Sequence, residues 1–257
     1  MNWLQLISRR NSVRQFSSQL DDASWAQARD ICASVGEDTL KLELLPGSKV
    51  HPLLMGFVGR YGRILAPWYV AALAPEDKDS LECLGYRVQR VVLELTALGL
   101  GTCWIGGFYK KKAMDTSLNL DENWGVRALI AWGHRRNETW SKTLKFAGRM
   151  GKRLSPDKIS PGPHEHVQYP WRTVLEAVRW APSAANRQPW RLSFTPQGIH
   201  LYSVHRRTLR GYVPVDMGIA KCHLELACQQ LGLPGSLQMA EHPSYRSWEY
   251  WTSYVLD

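Results

Sequence analysis

Two helix-like runs of this chain carry the same punctuation at the same spacing. Gly85 precedes Leu98-Gly99-Leu100, and Gly218 precedes Leu231-Gly232-Leu233 by the same distance. At that offset Val91 and Leu93 fall on Leu224 and Leu226. In the first run Leu81, Leu84, Val88, Val91, Leu95 and Leu98 recur every three or four residues and line one helix face. Gly99 ends that run, and Gly232 ends the run from Asp216 to Leu231, as left-handed caps do. Each helix leads on to an apolar or aromatic strand, Val126–Trp132 and Trp248–Leu256. Trp25 and Trp171 mark a weaker match between two earlier helices. Self-similarity at a fixed period indicates duplication. The chain is therefore expected to fold as two copies of one α+β unit, an intramolecular imitation of a symmetric dimer. The expected boundaries are a first half over 1–153, a Pro-rich linker over 154–168 and a second half over 169–257.

Between these landmarks the chain alternates further elements with turns. Asn2 is placed to cap a short helix running to Arg9, and Asp21, Asp22 or Ser24 to cap another running to about Val35. Glycines and prolines leave 36–62 without a clear period. Ile64–Ala74 is apolar and predicts a buried strand, with Pro67 interrupting its first part. His134–Arg153 is a basic connector, and the prolines of Ser155–Pro163 suggest a linker. Tyr169–Trp180 predicts a helix, and Arg191–Val204 a hairpin turning at Gln197-Gly198.

The five cysteines form no C-x-x-C pair, and their odd number argues for a reducing compartment without a disulfide framework or zinc site. Met1–Arg10 has no apolar core long enough for a signal peptide, and no apolar run in the sequence reaches the length of a membrane span. These features lead to the expectation of a cytoplasmic protein. The net charge of +9 suits an anionic ligand, but no basic run or RNA- or DNA-binding motif accompanies it, so no nucleic-acid partner is expected. Twelve tryptophans suit a protein that faces flat ligands, although most of them serve any core or surface.

Four stretches carry chemistry. Arg10-x-Ser12-x-Arg14 presents paired donors and a hydroxyl to phosphate oxygens, or else a solvated basic helix end. Gly99–Gly107 follows a helix, so it is no dinucleotide fingerprint. Its Gly106-Gly107 pair lets backbone approach a flat ligand. Lys152-Arg153 is an ordinary charged linker or a phosphate contact. Ala181-Pro-Ser-Ala-Ala-Asn-Arg-Gln-Pro-Trp190 sets Ser183, Asn186 and Gln188 between two prolines, in a polar turn from helix to strand. His164-x-His166 lacks further metal ligands, so no metal is expected. Cys103 reads as a buried thiol, and Asp216 as a helix cap near Pro214.

Taken together, these stretches resemble the nitroreductase family of FMN-dependent oxidoreductases. Arg10-Asn-Ser-Val-Arg-Gln-Phe16 is similar to the family's R-[RH]-S-x-[RK]-x-F, and Ala181–Trp190 to its A-P-S-x-x-N-x-Q-P-W. Leu98–Gly107 resembles the segment that lies along the flavin. The resemblance implies an α+β nitroreductase-like fold, a mixed sheet flanked by helices. It also implies FMN as cofactor, NAD(P)H as reductant and a small-molecule electron acceptor such as a nitro compound or quinone. No catalytic side chain is required. The order of motifs departs from the family pattern. The equivalent of Ala181–Trp190 is missing from the first half, and the arginine motif from the second. One flavin site out of two is implied, with a phosphate side from half one and a partner side from half two, so the chain would be monomeric. The implied cofactor residues are Arg10, Asn11, Ser12, Arg14, Trp104, Ile105, Gly106, Gly107, Lys152, Arg153, Pro182, Ser183, Ala184, Asn186 and Gln188. Asn11 stands where the family pattern has a basic residue. A scaffold that binds ligand without turnover is the alternative.

Overall fold

The structure is a computed structural model that describes residues 1–35, 39–55, 63–136, 153–161, 169–204 and 210–257. Most of the basic connector, including Lys152, lies outside the described residues, as do His164 and His166. The chain divides into two compact units. One is Arg9–Lys142; the other joins Met1–Ser8 to Thr143–Asp257.

Helix α1 (Trp3–Arg9) belongs almost wholly to the second of these units. Asn2 caps it, its Oδ1 accepting the Gln5 N–H at 3.0 Å. Leu6 and Ile7 are buried, and the Trp3 N–H donates to Gln230 Oε1 at 3.0 Å.

The first unit continues with α2 (Asp22–Ala33), whose Asp21 cap accepts the Ser24 N–H. β1 (Lys41–Pro46), the one-turn α3 (Gly47–Val50), β2 (Trp68–Ala74) and α4 (Lys78–Ala97) follow. β3 (Gly101–Ile105), α5 (Lys111–Ser117) and β4 (Gly125–Gly133) complete it. Its strands run antiparallel in the order β1-β2-β4-β3. Among the described residues, the parallel component of the expected mixed sheet is one isolated bridge, Ser12 with Thr102, beside β3. β2 starts only after Pro67, which cannot donate to a ladder. Within the glycine-rich Gly99–Gly107, Gly99 turns at φ +78° and the strand β3 follows. Alternate residues of β2 face opposite ways. Tyr69, Ala71 and Leu73 join Val13, Phe16, Leu45, Cys103, Ile105 and Met114 in one apolar cluster.

The second unit adds α6 (Pro156–Ile159), α7 (Trp171–Arg179), β5 (Trp190–Thr195), β6 (Gly198–Ser203), α8 (Val213–Gln230), β7 (Gly235–Gln238) and β8 (Glu249–Leu256). Within the stretch expected as a linker, α6 buries Ile159 completely. The order β5-β6-β8-β7, all antiparallel, repeats that of the first sheet strand for strand. Both sheets carry a bulge between their second and fourth strands, at Ala72/Leu73 and at Leu201/Tyr202.

The two long helices also end alike. Leu100 N donates to Leu95 O at 3.1 Å, and Leu233 N to Cys228 O at 3.0 Å, around Gly99 and Gly232 in the left-handed region. These are the same six-to-one closures, at the positions where the sequence repeats. The duplication is thus visible as one topology built twice. No helix among the described residues is long and apolar enough to cross a membrane.

Candidate functional site

The motif residues fall into two clusters, one in each unit. In the first, the segment after α1 runs alongside β3. Val13 N donates to Thr102 O at 2.9 Å. This approach needs Gly101, because a Cβ there would lie 2.8 Å from the Val13 side chain. The pairing fixes Arg10, Ser12 and Arg14 against the strand that carries Cys103, Trp104 and Ile105.

Arg10 is the unusual member. It is 7% exposed, and its Nε has no hydrogen-bond partner among the described residues. Burial lowers the guanidinium pKa to about 10; Cys103 acts in the opposite sense, and nearby Arg14 adds to the lowering. The group is still a cation at neutral pH. Burial also raises the Cys103 thiol, against the pull of Arg14 and Arg10, so no thiolate balances the charge. Among the described residues no carboxylate acts on Arg10. A buried cation with an orphaned donor costs free energy unless something anionic completes it. The donor set therefore fits a phosphate or another anionic group.

Asn11 turns its side-chain oxygen to Arg135, whose Nη2 donates to it at 2.8 Å. Sequence reasoning missed Arg135, which sits just beyond β4 and reaches the motif because Phe16 bridges to it. Its one sequence signal is its place among the basic residues after Gly133. A cation thus stands beside the position where the family pattern has a basic residue. Trp104 is half-buried, its Nε1 donating to Gln89 Oε1 at 3.0 Å. Ile105 is buried, and Gly106 and Gly107 bend away from β3.

The second cluster is the turn Ala181–Trp190. Pro182 is buried, and Ala184–Asn186 forms one short helical turn. Ala185, Asn186 and Gln188 have φ of 49°, 55° and 50°, a left-handed backbone at three non-glycine residues. Each costs about 1 kcal/mol or more, so the surroundings must hold the turn in place.

The braces are visible. Arg153 Nη1 donates to Ala181 O at 2.7 Å and to Asn186 Oδ1 at 2.9 Å, and its Nη2 donates to Trp180 O. Ser183 Oγ accepts the Gln188 N–H. The Gln188 amide is used within the turn: Oε1 accepts Leu154 N–H and Nε2 donates to Asn186. The sequence offered Arg153 as a charged linker residue or a phosphate contact, and the resemblance assigned Gln188 to the flavin; the observed bonds show that both also act as internal struts of the turn. Replacing Arg153 with methionine should lower stability by roughly 3 kcal/mol, because three charge-assisted bonds are lost. A urea denaturation series on the variant checks this.

Asp216 is not the cap of its helix. α8 begins earlier, at Val213, with Pro214 in its first turn, where a missing N–H is harmless. Asp216 is instead buried, and its Oδ1 accepts the Ala184 N–H at 2.9 Å. Among the described residues no group of three His, Cys, Asp or Glu is placed to hold a metal.

Comparison with known proteins adds a family. The profile described as "Putative TM nitroreductase" matches residues 2–228. A solved structure from Thermotoga maritima, described as a putative nitroreductase, shares 23% identity and a TM-score of 0.66, over 100% of this chain and 94% of that one. At that identity the likeness concerns the fold. A nitroreductase family protein from Clostridium novyi matches at 17% identity over 53% of this chain and 87% of its own, with a TM-score of 0.45. A Desulfovibrio desulfuricans protein, described as a putative nitroreductase in complex with FMN, matches at 18% identity over 56% and 95%, with a TM-score of 0.43. No curated protein matches the chain.

Proposed function

The chain belongs to this nitroreductase family, and from that premise we propose that it is an FMN-dependent oxidoreductase drawing on NAD(P)H. Its acceptor is a nitro compound, a quinone or a similar small molecule. Family membership supports an oxidoreductase function. The observation that carries the flavin reading is Arg10, a buried cation whose Nε has no hydrogen-bond partner, and whose charge no carboxylate is seen to act on, among the described residues.

FMN, when bound, supplies the two-electron redox chemistry. The chain's own residues bind and orient. Arg10, Ser12 and Arg14 offer cationic and hydroxyl donors to anionic oxygens, and Arg135 with Asn11 adds charge at the same edge. Trp104, Ile105, Gly106 and Gly107 provide a half-buried strand end where backbone meets a planar ring closely. Pro182, Ser183, Ala184 and Asn186 are proposed as further cofactor-binding residues, with Arg153 and Gln188 holding their turn. Lys152 is proposed as a phosphate contact by its position in the sequence. The reading includes a cytoplasmic location and a monomer.

Purified protein, supplemented with FMN and desalted, should stay yellow and bleach on anaerobic addition of NADH or NADPH. Colourless protein would remove the flavin reading. Yellow protein that neither nucleotide bleaches would select a binding scaffold without turnover.

A further inference from the structure

One buried carboxyl has no part in the scheme above. Asp216 lies in the first turn of α8, 5% exposed, and holds the Ala184 N–H at 2.9 Å. Ala184 begins the strained part of the turn, with left-handed residues at 185, 186 and 188. Four side chains brace it: Arg153 through Ala181, Asn186 and Trp180, the uncharged Gln188 through Leu154 and Asn186, Ser183 through Gln188 N–H, and Asp216 through Ala184 N–H. An arginine keeps its charge throughout the working pH range, and a serine has none to change. Asp216 is the brace that titrates.

Burial pushes the Asp216 carboxyl up to about 8, with the Ala184 amide pulling weakly the other way. Among the described residues, the charged groups on the neighbouring elements are Arg153 and Arg187 at the turn, Arg172, Glu176 and Arg179 on α7, Arg210 just before α8, and Lys221 and Glu225 along α8. None of them is among the causes of its shift. The carboxyl is therefore uncharged in the closed turn at neutral pH, and it gains charge by reaching water.

We propose that Asp216 is a proton-operated latch on the cofactor-binding turn. Uncharged, it holds Ala184 in place; ionised, it lets the turn open. The word "cofactor" here rests on the flavin reading above, whereas the latch itself rests on the turn.

The direction with pH follows from proton linkage. An opened turn returns Asp216 to an ordinary carboxyl value of 3.8, against about 8 when closed. Between those values the closed turn holds one proton more, so opening becomes easier by up to tenfold per pH unit as pH rises. Above about 8 both states are ionised and the dependence levels off.

Amide exchange at Ala184 in the cofactor-free protein tests the latch directly. The comparison is with Asp216→Asn, whose side-chain oxygen accepts the same N–H but cannot ionise. In the parent, the protection factor at Ala184 should fall from about pH 5 to about pH 8, by up to tenfold per unit. In Asp216→Asn it should be flat. The FMN release rate from loaded protein should accelerate over the same range in the parent and stay constant in the variant. Asp216→Ala should show weak protection at every pH. If that variant does not fold, the asparagine comparison decides alone. Parallel profiles in parent and Asp216→Asn would overturn the latch. FMN release independent of pH in both loaded proteins would overturn it as well. The expected exchange profile in a protein that takes up no FMN would instead sink the flavin reading and leave the latch standing.

Discussion

Arg10→Met should give a protein that is more stable than its parent when empty, yet at least a hundredfold weaker for FMN. The two effects share one cause. In the empty protein the guanidinium is buried beside Arg14, with no partner for its Nε among the described residues. Replacing such a group with an apolar side chain of similar length is often stabilising, by roughly 1–4 kcal/mol. On the flavin reading the same guanidinium would meet an anion in the loaded protein, and charge-assisted bonds in a dry site are worth about 1.5–3 kcal/mol each. Losing two of them amounts to a hundredfold or more in affinity. Denaturant midpoints of the empty proteins and an FMN fluorescence titration measure the two halves separately. A destabilised variant that keeps full FMN affinity would show Arg10 to be a structural residue and end its assignment to the site.

The second large effect concerns Ile7. It is 2% exposed, in a helix grouped with residues far along the chain. Ile7→Ala should cost about 2–4 kcal/mol through the cavity it leaves. The loss should fall on one unit only. Segment-resolved hydrogen exchange should show reduced protection in α1, α7 and α8, while α4 and β2 keep theirs. Uniform loss, or loss confined to Arg9–Arg136, would contradict the grouping of α1 with the second unit.

The two long helices were legible in the sequence because their signals are local. The leucine spacing of α4 and its closing glycine lie within one run of chain, and the same pattern recurs in α8. β1 and β3 were not legible, because their state is decided elsewhere. Gly101–Ile105 is five residues of mixed character and becomes a strand by pairing with β4 from Gly133 to Leu129. β1 has outer, solvated positions at Lys41 and Glu43 and ends on a proline, so its hydrophobic period is weak.

The candidate site divides in the same way. Its motifs stood out as short strings of unusual residues. The partners that hold those motifs did not, because each arrives through the fold: Arg135 by the register of β4, Asp216 from the start of α8. Asp216 was misplaced for a further reason. Its helix begins three residues sooner than the Pro214 signal suggested, and that moves the carboxyl from a solvated cap to a buried position.

The placement of α1 also sets an order of events during synthesis. At about 5–20 residues per second, roughly 10 to 45 seconds separate the making of Ile7 from the making of Gln230, to which Trp3 is bonded. Arg9–Lys142 has all its strands long before then and can close on the ribosome. The unit that owns α1 cannot, because its earliest piece must wait for its late ones. Through that interval an apolar helix carrying Leu6 and Ile7 lacks its final packing. A nascent-chain experiment would therefore find the middle of this protein folded first and its beginning among the last parts to settle.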